Sequence, residues 1–470
     1  MTTLNQQPSE YSNQIIASTD DLKNFFSLNS KKPNEFKIGM EWELLAVDCE
    51  GNAISYNQGP ENIQLILQRL AQEYKWNTSY INHNLLELER DGLIVTLEPG
   101  SQLELVGKPY LNLTEIYQEL LNFENELIHI SKPYNIHWIT LGCQPKTSAE
   151  KIQCIPKDRY EIMSHYLPEQ GHMAHVMMRS TATQQANFDY ENLDDAAQKL
   201  QVGQMLAPIL RALSAHSPFY NLQAGPWQSM RGLAWLNTDP KRCGFCPSIL
   251  KDDFNIEDYI NYVLEIPMMF LIQNQKHIPV PHLTFRQFMQ HGYEGQPATL
   301  QDWHHMLTTI FPEARLKKCI EIRSIDRNPA LFAMAIIALC KGILYSASNR
   351  KKIKEIFKFW HIQDLYKALE EASLNGLKAK TPSGLLLELA QEIYHLAYQS
   401  LISIQDKKFL EHLRPWLFEK QTNPAELLLH YWYSNWDKNI QDLIQFTGID
   451  PKELRHAHNR ISMNKLNISV

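Results

Sequence analysis

The chain lacks a phosphate-binding loop. Among its 470 residues there is no GxxxxGK(S/T) and no GxGxxG, and glycine is sparse at 18. If it binds ATP, it does so through metal and strands, not through a P-loop. No serine sits in a GxSxG elbow and no HExxH occurs, which weakens hydrolase readings, zinc-dependent ones included. Cys243-Gly244-Phe245-Cys246 has redox or zinc-knuckle spacing, but no second pair accompanies it, so incidental cysteines are the better reading. Seven cysteines, an odd number scattered along the chain, read as reduced thiols and not as a disulfide framework. There is no basic excess: the formal net charge is -7, which argues against nucleic acid or a membrane surface as partner. The longest apolar run, 330–345, is too short to span a bilayer and contains Lys341. The polar start, up to about Lys32, lacks the basic and then apolar regions of a signal peptide. A cytoplasmic protein is expected.

What is present is ordinary globular composition, 44% hydrophobic and 21% charged, at a length that can bury a large core. Residues 1–34 read as a loosely held leader with one short helix over 20–28, and 35–470 as a single catalytic domain whose part 330–470 is mainly helical. Helical periodicity marks 62–74, 113–131, 158–166 and 193–214. Strand patterns mark 37–45, 137–142 and 319–323, and 177–189 reads as one long strand. The stretch 226–247 reads as an irregular substrate-handling loop.

The chemistry concentrates in acids that alternate with apolar residues. Glu41 and Glu43 flank Trp42, and Glu321 and Arg323 flank Ile322. The stretch 96–105 reads as extended, with Leu97, Leu103 and Leu105 on one face and Glu98, Gln102 and Glu104 on the other, interrupted at Pro99-Gly100 by a bulge or bend. Carboxylates crowded on one sheet face repel and call for hard cations with oxygen ligands, Mg²⁺ or Mn²⁺. The competing reading is a set of solvated strand faces with ordinary acids. A second group, Arg231, Arg242 and Arg323 with Trp235 between the first two, suits carboxylates and phosphates through bidentate forks. Structural ion pairs or surface charge remain equally open for those arginines.

Several stretches together resemble the plant and proteobacterial type of glutamate–cysteine ligase, a carboxylate–amine ligase with a glutamine synthetase-like fold. They are Gly39-Met40-Glu41-Trp42-Glu43, then 97–105, then Met177-Met178 followed by Thr183 to Asp189. Arg231, Trp235, Asp239 and Arg242-Cys243-Gly244 come next, then 262–268 and 307–318 running into Glu321-Ile322-Arg323. The resemblance implies an α+β fold: a curved, mostly antiparallel sheet forming a funnel, packed by helices. It implies ATP-dependent joining of the L-glutamate γ-carboxylate to the L-cysteine amine through an acyl phosphate, in a monomer or homodimer. It places Mg²⁺ on Glu41, Glu43, Glu98, Glu104 and Glu321. It makes Arg242 and Arg323 catalytic, and gives substrate contacts to Arg231, Arg242, Trp235, Gln102, Thr183 and Asn187. Arg179 stands one position from the family's arginine after Met-Met, and that shift reverses its face on a strand, so it receives no role. A ligase using another amine, or an inactive homologue serving as a binding module, are the alternatives.

Overall fold

A computed structural model of the chain describes residues 14–274 and 276–449. Its centre is a nine-stranded sheet in which every pairing is antiparallel. Its strands are β1 (Ile38–Val47), β2 (Asn77–Ile81), β3 (Asn84–Arg90), β4 (Leu93–Leu97), β5 (Leu103–Val106), β6 (His137–Ile139) and β7 (Gln184–Phe188). They are completed by β8 (Ala314–Leu316) and β9 (Ile320–Ile322). The order is β8-β9-β7-β1-β5-β4-β3-β2, with β6 on the far end of β1.

Alternation along each strand sorts this sheet into two faces. Met40, Trp42 and Leu44 share one face with Leu103, Leu105, Ala186, Phe188, Ile320 and Ile322, all buried. Helix α6 (Leu193–Ser214) covers part of that face, and Gly203 lets it approach closely: a Cβ there would stand 2.9 Å from Ile322 and 3.0 Å from Ala314. The opposite face carries the acids.

Helices α2 (Ile63–Tyr74) and α3 (Leu113–Ser131) pack on each other. In α3, Leu113, Ile116, Leu120, Phe123, Leu127 and Ile130 recur at alternating spacings of three and four, and all are buried. Among the described residues after β9 the chain is helical apart from one two-stranded hairpin at 380–385. The apolar helix Ala330–Leu344 lies within the core. Among the described residues no single helix is long and apolar enough to cross a membrane.

Four sequence expectations need correction. Of the expected leader, residues 1–13 lie outside the described residues, but the rest is packed and not loose. There α1 (Thr19–Ser27), capped by Ser18, buries Leu22, Phe25 and Phe26, and Ile15 bridges to Thr299. The stretch 96–105 is not one interrupted strand but a hairpin, with Thr96 opposite Glu104 and Leu97 opposite Leu103. Glu98 N donates to Gln102 O at 2.9 Å, and Ser101 takes a left-handed φ of 70° to close the turn. The expected strand 177–189 is instead helix α5 (Ala174–Ser180) followed by β7, because the adjacent apolar pair Met177-Met178 breaks the alternation that resumes only afterwards. Finally, the expected irregular loop 226–247 contains helix α7 (Met230–Leu236), whose Ser229 cap accepts from Gly232 N at 2.9 Å.

Candidate active site

The acidic face is a continuous row across the strands. Arg315 on β8 stands opposite Glu321 on β9, and Glu321 opposite Asn187 on β7. Gln185 on β7 pairs with Glu41 on β1, Glu43 pairs with Glu104 on β5, and Glu104 pairs with Thr96 on β4. A cavity of about 660 Å³, its mouth included, opens over this row. Helix α4 (Asp158–Tyr166), α5 and α7 form its other sides.

Three of the five predicted metal ligands converge. Glu43, Glu98 and Glu104 each offer a carboxylate oxygen within 4.8 Å of the other two. Glu104 is fully buried, yet neither of its oxygens has a hydrogen-bond partner, and Glu98 Oε1 has none. Burial pushes all three toward the protonated form, and repulsion from neighbouring carboxylates adds to it. Burial is the larger cause for Glu43, reinforced by Glu98, and brings it to about 8. Burial raises Glu98, and burial together with Glu98, Glu41 and Glu43 raises Glu104 further. Orphaned oxygens of this kind suit a hard divalent cation, so Glu43, Glu98 and Glu104 fit Mg²⁺ or Mn²⁺.

Glu321 has a different environment from that expected of a metal ligand. Arg315 Nε and Nη2 reach its two oxygens at 2.7 and 3.1 Å, Lys317 Nζ at 2.7 Å and Arg323 Nη1 at 3.0 Å. Burial alone would raise its pKa, but these three cations outweigh burial and hold it well below the usual carboxylate range. Its lone pairs are already used. Glu41 lies outside the three-carboxylate cluster and accepts from Asn187 Nδ2 at 3.0 Å.

The arginines separate in the same way. Arg323 lines the cavity, held by Glu321 and by Gln185 Oε1 at 2.9 Å, with its guanidinium 5.4 Å from the Trp235 ring. Arg231 also lines it, donating to Arg323 O at 2.7 Å while its Nε and the Trp235 Nε1 remain without partners. Arg242 is not in the cavity wall. It is completely buried, with Nε on Asp239 at 2.6 Å, Nη1 on Thr309 O at 3.1 Å and Nη2 on Tyr166 Oη and Pro267 O at 3.0 and 2.7 Å. Four of its five N–H groups are taken by protein acceptors, so it ties loops together and stands outside the cavity wall where the catalytic expectation put it.

Of the predicted substrate contacts, Trp235, Gln102 and Thr183 line the cavity and Asn187 does not. Gln102 is structurally committed. Its Oε1 accepts from Gly100 N at 2.8 Å, and its Nε2 donates to Met178 O and Thr181 O at 3.2 and 2.8 Å. Thr183 N donates to Glu43 Oε2 at 2.8 Å and its hydroxyl to Ile325 O at 2.6 Å.

Sequence reasoning missed Arg315, Arg159, Met163 and Phe311, which line the cavity. Arg315 carried a signal, since Ala314-Arg315-Leu316 alternates as the acidic strands do. Arg159 sits in a helix with no local mark of function. Lys157, beside it, donates to Thr96 Oγ1 and Leu97 O at 3.0 and 3.1 Å and faces Glu98.

Comparison with known proteins places the chain among relatives. The description of glutamate-cysteine ligase family 2 matches residues 37–408. Chloroplastic glutamate–cysteine ligase B of Oryza sativa subsp. japonica is 31% identical over 432 residues, 91% of this chain and 86% of that protein. The chloroplastic glutamate–cysteine ligase of Medicago truncatula is 30% identical over 426 residues, covering 89% and 83%. The crystal structure of glutamate–cysteine ligase from Francisella tularensis in complex with AMP superimposes with a TM-score of 0.57 at 12% identity, covering 91% of this chain and 92% of that one, a likeness of fold.

Proposed function

This chain belongs to glutamate-cysteine ligase family 2, and from that premise we propose that it joins the γ-carboxylate of L-glutamate to the amine of L-cysteine at the expense of ATP. The products are γ-glutamylcysteine, ADP and phosphate, as in the first step of glutathione formation. The observation that carries the reading is the meeting, in one cavity, of the buried carboxylates Glu43 and Glu98, with Glu104 within 4.8 Å of both, and the buried arginines Arg231, Arg315 and Arg323.

A carboxylate is a poor electrophile. The γ-phosphoryl group of ATP passes to a γ-carboxylate oxygen of glutamate and gives an acyl phosphate. The cysteine amine then attacks that carbonyl carbon, and phosphate leaves with the bonding pair. Both steps move negative charge, which fixed donors stabilise best. Arg323 supplies such donors, held beside Arg315 by Glu321. The free Nε of Arg231 and Nε1 of Trp235 are donors awaiting a ligand on the same wall. Glu43, Glu98 and Glu104 would hold Mg²⁺, which when bound neutralises the ATP phosphates. Glu41 is assigned to the rim of that metal face, and Glu321 to positioning the arginines. Thr183 orients Glu43 through its backbone N–H, and Asn187 orients Glu41.

We assign residues 35–470 to one catalytic unit, because one large apolar core runs from Ile16 to Ile449 through the described residues, with a smaller cluster around Val47, Ile139 and Trp432 beside it. Seven unpaired cysteines support a reducing compartment, for which we propose the cytoplasm. The reading is tested by ADP release with Mg·ATP and L-glutamate across a panel of amino acids. Release that depends on L-cysteine, with γ-glutamylcysteine seen by mass, is expected. Release with another amine instead, or none from folded protein that binds Mg·ATP, would overturn it.

A further inference from the structure

The cavity has two chemically distinct walls. The sheet side and the β4–β5 turn supply Glu43, Glu98, Gln185, Arg315 and Arg323. The helical side supplies Tyr160 and Met163 from α4, and Met177 and Met178 from α5, beside Arg159. The three methionines are 5%, 6% and 1% exposed, so each presents only a small patch of side chain to the cavity.

Their placement is tied to the carboxylates. Gln102, between Glu98 and Glu104, donates to Met178 O and Thr181 O. Thr181 Oγ1 in turn donates to Met177 O at 2.6 Å. A Cβ on Gly100 would stand 2.1 Å from Arg179 O, so only glycine lets the hairpin turn approach the end of α5 this closely. The thioether wall is therefore fixed relative to the acidic cluster by backbone contacts, not by loose packing.

The ligation reading, on which this inference rests, leaves one requirement open. Phosphates and the carboxylates of glutamate are charged and suit the arginine and metal side. The side chain of the amine substrate needs a neutral wall. We propose that Met163, Met177 and Met178 form the subsite for that side chain and select a small thiol.

Thioethers are polarisable and unbranched, so they gain dispersion contact against another sulfur. They also give a hydroxyl no strong acceptor. Serine, identical to cysteine but for the oxygen, would bury an unsatisfied hydroxyl and be disfavoured about ten- to hundredfold. L-2-Aminobutyrate, with a methyl in place of the thiol, keeps the shape and loses only the sulfur–sulfur contact. Discrimination against it is smaller, about two- to tenfold by analogy with other sulfur contacts.

The test uses the full chain and single Met163→Leu, Met177→Leu and Met178→Leu variants, which keep volume nearly constant and remove the sulfur. Steady-state kcat and KM are measured for L-cysteine, L-2-aminobutyrate and L-serine at saturating Mg·ATP and L-glutamate. The preference for cysteine over aminobutyrate should fall about two- to tenfold in at least one variant, with the KM for glutamate unchanged. A Met177→Thr variant, which introduces a hydroxyl partner, should improve serine relative to cysteine. Parallel loss for all three amines, a changed KM for glutamate alone, or unaltered ratios in every variant would each overturn the subsite. Failure of the ligase reading itself is seen separately, as wild-type protein that releases no ADP with cysteine.

Discussion

Glu43 and Glu104 stand directly opposite each other in the register of β1 and β5, both buried, with no protein cation bonded between them. Like charges directly opposite in an antiparallel pair are destabilising, and burial magnifies the cost. Glu104→Gln removes that repulsion while keeping size and shape. The metal-free variant should melt at the wild-type temperature or above it, and added Mg²⁺ should raise its melting point less than it raises the wild type's. Turnover should fall about 10²-fold or more, because the lost group serves the charge of the reacting phosphoryl. Thermal melts with and without Mg²⁺, paired with ADP release, check both parts; wild-type turnover would sink the assignment of Glu104.

A second prediction concerns acid. Burial, with Lys318 and Lys317 nearby, lowers His304 to about 3, and burial with Arg159 and His277 lowers His305 to about 4. Both histidines are neutral in the fold, whereas the unfolded chain takes up protons at them near pH 6.5. Between pH 6.5 and 4 the unfolded state therefore binds more protons at these two histidines, and their contribution to stability falls as pH falls. The melting temperature of the wild type should fall by a few degrees relative to that of a His304→Gln/His305→Gln double variant across that window, and parallel curves for the two proteins would contradict this account.

The fold was legible where a period was clean. Helices over 113–131, 158–166 and 193–214 are observed with those bounds, the last of them despite Pro208 in its interior. The acidic face was legible for the same reason, since a period of two sends Glu41, Glu43, Glu104 and Glu321 to one side whatever the sheet order. What local pattern could not supply was the reversal at Pro99-Gly100-Ser101. A bulge and a turn share those residues, and only pairing between β4 and β5 distinguishes them. Nor could it separate Arg242 from Arg231. Both lie in one arginine-rich stretch, and their roles differ only through distant partners: Thr309 and Pro267 for the first, Arg323 and Asp326 for the second.

That difference is measurable. Arg242→Ala leaves Asp239 buried without the arginine and two backbone carbonyls, Thr309 O and Pro267 O, without that donor. Loss of one member of such a pair costs about 3–5 kcal/mol, so the variant should melt well below wild type or accumulate poorly. Arg231→Lys keeps the charge but loses the fork geometry at the cavity wall. It should retain most of its stability and lose about tenfold or more in kcat/KM for glutamate. Circular dichroism melts beside steady-state kinetics separate the two; a stable Arg242→Ala enzyme with only a catalytic defect would return Arg242 to the site.

Glu321 offers the sharpest distinction between holding a metal and holding arginines. If it were a ligand, Glu321→Gln would weaken metal binding directly. In the geometry here it accepts from Arg315, Lys317 and Arg323, and no oxygen is left over. The glutamine keeps the shape and one acceptor oxygen but brings two donors toward guanidinium groups, so the fork of Arg315 and Arg323 should splay. Transition-state charge would then meet misplaced donors, and kcat should fall about 10²-fold, the scale seen for loss of a single preorganised donor. Mg²⁺ or Mn²⁺ affinity, measured by titration calorimetry on the same protein, should stay within about twofold of wild type, since Glu43, Glu98 and Glu104 are untouched. Glu98→Gln provides the opposite pattern, with metal affinity falling together with activity. A Glu321→Gln protein that loses metal as Glu98→Gln does would show that the cations around Glu321 give way when the ion arrives.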